Sequence, residues 1–248
     1  MIRFFRNIRQ KLAAENKVMA YVRYAIGEIL LVVTGILIAL QINNWNEDRK
    51  TVKLANENYL NLLTSLEQDS IQVQRIINLN DIGLKALSKI IPLEINEELL
   101  ELSQENLNNY LYEVSLTSRS FLPNSGIYNL LTSNNGLELI KSDKIKSLLI
   151  NLYDNQYKKY EVVDIPIDNK YQNQLGSIIK EKVGFVVHYT PELVIVQSAS
   201  PKLFKKHYFE LASEARDIYS MLSYNINTLI QIEESISELL PLIRDEIQ

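Results

Sequence analysis

Two different patterns of apolar and polar positions run along this chain. From Ile29 to Ile42 there is no charged residue, and Leu, Ile and Val dominate. Beyond Lys50 the apolar positions instead recur at steps of four and three. The first pattern predicts a membrane span and the second predicts long amphipathic helices.

The span is placed at about Ala25–Asn44, because a helix of ~20 residues matches a ~30 Å hydrocarbon core. Tyr21 and Tyr24 stand at one boundary and Trp45 at the other, as an aromatic belt requires. Arg and Lys precede the span and Glu47–Asp48 follow it, so the N-terminus is expected in the cytoplasm. About 28 residues precede the apolar run and no small-x-small site follows it, which favours an uncleaved signal anchor. The expected organisation is a basic amphipathic segment at 1–23, a transmembrane helix at 24–45 and an outer helical bundle at 46–248. Within the span, Glu28, Gly35 and Ala39 share one helix face, being spaced by seven and four. Gly35 and Ala39 allow close approach of another helix, so the three form a candidate contact face. In residues 1–18, Phe5, Ile8 and Leu12 fall on one side, ringed by Arg3, Arg6, Arg9 and Lys11. These four are candidate contacts to a lipid surface, each worth about 1 kcal/mol near anionic headgroups. A soluble basic tail is the alternative.

After the span, Val52, Asn56, Tyr59, Leu63, Leu66, Ser70, Val73, Ile77, Asn80, Leu84, Leu87 and Ile91 form a seam, broken only by Asn56, Ser70 and Asn80. A helix of roughly 60 Å is expected there, ended by Pro92. At the other end, Phe204, Tyr208, Leu211, Ala215, Ile218, Leu222, Asn225, Leu229, Ile232, Ile236, Leu239 and Ile243 repeat the spacing, with Asn225 the one polar member. Pro241 is expected to kink or end that helix. Between the seams, helices are expected over 95–115, about 127–132, from Ser142–Asp143 to about Val163 with Pro166 as the breaker, and about 169–183. Residues 185–197 read either as a hairpin or as a helix opening at Thr190-Pro191. The fold class is therefore all-α: a membrane helix leading into an antiparallel bundle with long first and last helices.

Composition supports this reading. Gly numbers 7 and Pro 6 in 248 residues, so turns are few. There is no cysteine, which excludes disulfides, thiol catalysis and cysteine metal sites. The formal charge is −4, but residues 1–28 carry +4, so the remainder is acidic and argues against nucleic acid as a partner.

Chemistry is sparse. The two histidines, His188 and His207, form no HExxH or Glu-x-x-His pattern, and no Gly-rich phosphate loop or GxSxG occurs. No metal, cofactor or catalytic residue is expected. Ser177–Lys180 matches Ser-x-x-Lys, without the partner motifs of acyl transfer. Asp69-Ser70-Ile71 matches a three-residue acceptor pattern for bacterial O-glycosylation. Tyr153, Tyr157 and Tyr160 recur at helical spacing and read as core packing, with a ligand groove as the alternative.

FFRNIRQKL and YAIGEILLVVTGILIALQINNWNEDRK resemble the N-terminus of an uncharacterised bacterial family of single-pass membrane proteins found mainly in one Gram-negative phylum. SGIYNLLTSNNGLELIKSDKIKSLLINLYD and the closing LLPLIRDEI resemble it more loosely. The resemblance, with the charge pattern, implies the inner membrane with a periplasmic domain, and it brings no assigned activity. The leading expectation is a non-enzymatic, membrane-anchored protein working through membrane lipids and a protein partner or homo-oligomer. The alternative is a ligand-sensing module acting through a separate membrane partner.

Overall fold

The computed structural model describes residues 18–134, 136–189 and 193–247. The candidate lipid contacts Arg3, Arg6, Arg9 and Lys11 lie outside the described residues. The chain divides into two compact units at Ala55/Asn56.

Helix α1 runs Val18–Ser88. In the first unit it holds the one helix among the described residues that is long and apolar enough to cross a membrane, and none of that apolar stretch is buried.

The second unit is built on three long helical runs. The first is α1 from Asn56. The short helices α2 (Glu97–Leu100) and α3 (Gln104–Ser115) follow it, then a 3-10 turn Leu116–Ser118, a loop, and α4 (Gly126–Ser133). The expected helix over 95–115 is thus interrupted. Ser103 breaks it by capping α3, its Oγ accepting from the Asn106 N–H.

The second long run, α5 (143–183), begins at the Ser142 cap. Pro166 does not break it: helical turns follow one another from Asp143 to Val183, with π-type turns at Asn151–Gln156, Tyr171–Leu175 and Ile179–Val183. A proline removes the bond to the carbonyl four residues back. That residue is Val162, which stands on the exposed face of α5 at 71% exposure, where losing the bond costs least and the helix continues. Gly184 ends the run at φ +85, a left-handed turn that suits glycine.

Strands β1 (Val186–Tyr189) and β2 (Leu193–Gln197) then pair antiparallel, so this segment is a hairpin. Its Val and Ile residues favour the pleat over a helix. After the short α6 (Pro201–Lys206), α7 spans Tyr208–Glu246 and passes through Pro241.

Contacts set the directions. Along α1, Glu67 meets Arg244 at 2.7 Å and Gln74 meets Glu233 at 2.8 Å, and just past its end the Ile91 carbonyl accepts from Arg216 at 2.8 Å, so α7 is antiparallel to α1. Lys144–Glu238 and Lys170–Asp217 make α5 antiparallel to α7 as well. All twelve seam positions from Phe204 to Ile243 are buried.

The core divides into two apolar clusters. One holds Tyr59, Leu62 and Leu66 of α1, Leu149 to Tyr160 of α5 and Leu229 to Ile243 of α7. The other holds Ala86 to Ile90, Ile167 to Val183 and Phe204 to Leu222. Each long helix carries a polar residue where one cluster gives way to the other: Asn80, Asp164 and Asn225.

Candidate functional site: a tyrosine-floored cleft

The polar layer exists because a loop enters the bundle there. Residues 116–125 pass against the helices, and the backbone groups buried there need partners other than water. Asn80, with its amide nitrogen turned to its neighbours, donates to the Leu116 carbonyl at 3.0 Å and the Arg119 carbonyl at 3.2 Å. The Phe121 N–H donates to the Tyr160 hydroxyl at 2.8 Å, and that hydroxyl donates onward to Asp164 Oδ1 at 2.8 Å. The Asn124 N–H donates to Asp69 at 3.0 Å, while Ser65 donates to the Asn124 carbonyl at 3.0 Å. Tyr157 donates to Asp69 Oδ2 at 2.7 Å. Asn225 donates to Asp164 Oδ1 at 3.1 Å.

Burial sets the protonation of this network. It raises the Asp69 and Asp164 carboxyls above the ordinary aspartate value, against the lowering effect of their hydrogen bonds. It also pushes the Tyr153, Tyr157 and Tyr160 hydroxyls far above the tyrosine range, so all three remain protonated at neutral pH.

The loop, α4 and α5 enclose a cleft of about 630 Å³, within the range of small-molecule sites. Its floor is aromatic. Tyr128 and Tyr153 stack at 4.3 Å, Tyr153 meets Tyr157 edge-on at 5.0 Å, and Phe121 lies against Tyr157 at 5.5 Å and Tyr160 at 5.9 Å. Leu122 of the loop and Ile165 of α5 are exposed members of the lining. Asp154, Lys158, Glu161, Asp164 and Asp168 supply the charge. Asp154 takes the Tyr128 hydroxyl at 2.7 Å and Lys158 at 2.9 Å, and the Lys158 contact is the main cause holding its carboxyl below the usual range.

The residues singled out by sequence are not gathered here. Glu28, Gly35 and Ala39 all lie in α1 of the first unit. Glu28 is half-buried and engaged in a polar interaction, and a side chain added at Gly35 would meet nothing within 4 Å. Ser70 is half-buried and donates to Glu233 at 2.9 Å, beside a fully buried Asp69, which removes the exposure a glycosylation acceptor needs. His207 is half-buried at the start of α7, 3.1 Å from Glu210. Among the described residues no group of His, Cys, Asp and Glu is placed to hold a metal. The tyrosine spacing is the one sequence signal that leads to the cleft: Tyr153, Tyr157 and Tyr160 are buried in the core, as expected, and they also line the hollow. Asp164, Glu161 and Asp168 carried no signal beyond a polar helix face.

Among the described residues the chain is an all-helical protein with one helix apolar enough to cross a membrane and a cleft of small-molecule size in its helical unit. A family model covers residues 28–194, and the chain belongs to that family, a family of unknown function (DUF6090). The matched span includes the whole cleft lining, and stops short of α7. No curated protein and no solved structure matches the chain.

Proposed function

We propose that this protein is a non-enzymatic recognition module anchored in the bacterial inner membrane, with its N-terminus in the cytoplasm and residues 46–248 in the periplasm. A ligand occupies the cleft, and a separate membrane partner docks on the Glu28, Gly35 and Ala39 face. The observation that carries the reading is the 630 Å³ cleft itself. α6 and α7 bury their twelve seam positions within the monomer, whereas the first seam leaves Val52 exposed and the cleft stays open. Recognition is favoured over turnover because Asp164 already accepts from Tyr160 and Asn225, and Asp69 from Tyr157 and the Asn124 N–H. Carboxylates held in this way are positioned as structure, not as free bases.

The test is to purify the full-length protein from its native membranes, denature it, and identify released small molecules by mass spectrometry. Asn129→Trp, which fills the cleft from α4, should lose the ligand. An empty wild-type protein, or the same ligand in the variant, would sink the reading. Topology has its own check: a C-terminal reporter should be active only outside the cytoplasm.

A second reading, a protein partner or second copy held without a small ligand, is favoured by exposed Leu122, Leu130, Val162 and Ile165 on the loop, α4 and α5. Crosslinking in membranes tests it, and recovery of an unpartnered monomer counts against it.

A further inference from the structure

A second hollow lies beside the hairpin, and no residue lines both it and the cleft. It is a groove of about 490 Å³. Its lining comes from three places: Ser118 and Arg119 after α3, Ser177 and Lys180 on α5, and Val186 and Val187 of β1.

Successive residues of a strand point to opposite faces of its sheet, so a hollow on one face touches alternate residues. This groove touches both Val186 and Val187 and, among the described residues, none of β2. It therefore runs along the edge of β1 that faces away from β2. That edge is open: among the described residues β1 pairs with β2 alone, in a two-stranded sheet.

Proteins guard exposed edges with charge, proline or a bulge. β2 is guarded, because Val186 faces Gln197 and Val187 faces Ile195, which leaves Val196 between them as a bulge. β1 is not. Its four residues, Val186 to Tyr189, include no proline, acid, lysine or arginine.

A row of backbone N–H and C=O groups is matched by one kind of partner, another extended backbone. The side chains of the lining narrow the choice. Arg119 and Lys180 stand against a single acid, Glu181, and Lys180 makes no ion pair among the described residues. The groove thus carries a positive excess in a chain of net charge −4. An acidic side chain on the incoming strand complements it. A second copy of this chain is disfavoured by size, since its hairpin brings two strands about 4.8 Å apart where the groove borders one.

We propose that this groove is a strand-addition site: an extended segment of a partner protein pairs with the free edge of β1 and sets an acidic side chain beside Arg119 and Lys180. The site is independent of the cleft and of what the cleft binds.

The experiment is selection of a random heptapeptide library, displayed on phage, against immobilised detergent-solubilised full-length protein, followed by calorimetric titration of the selected peptides. They should carry an acid among apolar residues and bind one-to-one. Their affinity should fall at least about tenfold in Ser177→Trp, which fills the groove from α5. Gln172→Trp, at an exposed position of the same lining, replaces that variant if its unfolding midpoint shifts. Methylating the peptide amides one at a time separates strand pairing from side-chain docking. Affinity should fall at alternate amides and hold at those between. Selection of no binder, unchanged binding in the folded variant, or methylation sensitivity without a two-residue period overturns the proposal. Selected peptides that carry lysine in place of an acid overturn it as well. A dimer in sedimentation that Ser177→Trp abolishes, with no peptide selected, would make a second copy the occupant and overturn the assignment to a partner protein.

Discussion

Asp164 and Asn225 meet at 3.1 Å, a carboxylate of α5 accepting from an amide of α7 at the level where the two apolar clusters of the bundle meet. Asn225 is fully buried and stands in an otherwise apolar seam. Its retention there follows from its partner: Asp164 also receives Tyr160, whose hydroxyl in turn accepts the Phe121 N–H. One polar contact between helices thereby supports the loop that forms the cleft wall.

Asn225→Ala should destabilise the protein by about 2 kcal/mol, the range for a hydrogen bond to a charged group lost in a buried site. Thermal unfolding followed by circular dichroism measures it. A change below about half a kcal/mol would show that the pair contributes little.

Tyr160→Phe removes the acceptor of the Phe121 N–H and the donor to Asp164 in one step, leaving a buried backbone donor unpaired. The expected loss is about 1–3 kcal/mol, with faster proteolysis confined to residues 119–125. Uniform proteolysis across the domain would argue against a local role in holding the loop.

The pH response has a definite sign. Asp69 and Asp164 bind protons more tightly folded than unfolded, because burial raises both. Their contribution is complete below the ordinary value of 3.8 and is lost as pH rises through their folded values. Asp154 and Glu210 are lowered, chiefly by hydrogen bonds from Lys158 and Lys182, and lose stability only below 3.8 and 4.5 respectively. The unfolding temperature should therefore rise as pH falls through the folded values of Asp69 and Asp164 toward 3.8. The slope should flatten in Asp69→Asn, Asp164→Asn. A falling midpoint over that window in the wild type would contradict the assignment.

Gly83→Ala sets helix propensity against packing. Alanine favours the helix by roughly 1 kcal/mol, but its Cβ would stand 2.7 Å from Thr117 Cγ2 and 2.8 Å from the Thr117 nitrogen. The second atom is backbone and cannot turn aside. A net destabilisation of about 1–3 kcal/mol is expected. Gly35→Ala, with open space around it, should keep the propensity gain without a clash and not destabilise α1.

Local periodicity carried much of the architecture. The uncharged run from Ile29 to Ile42 showed a span-length apolar helix because no compact unit was needed to read it. The seams ending at Ile91 and Ile243 showed two long helices because burial of one face repeats every three or four residues. Even Asn80 and Asn225 were visible as interruptions, although nothing local said what they bind. The tertiary structure decided the rest. Pro166 stays helical because Val162 faces water. Val186–Tyr189 and Leu193–Gln197 pair as strands once Gly184 has ended α5. The cleft depends on Asp69 receiving Tyr157 from 88 positions away, and on the Phe121 N–H finding Tyr160 39 positions on. The physical reason is range. Helix periodicity is set by neighbours within a turn, whereas a buried loop must satisfy its backbone with whatever side chains the packed helices bring to it.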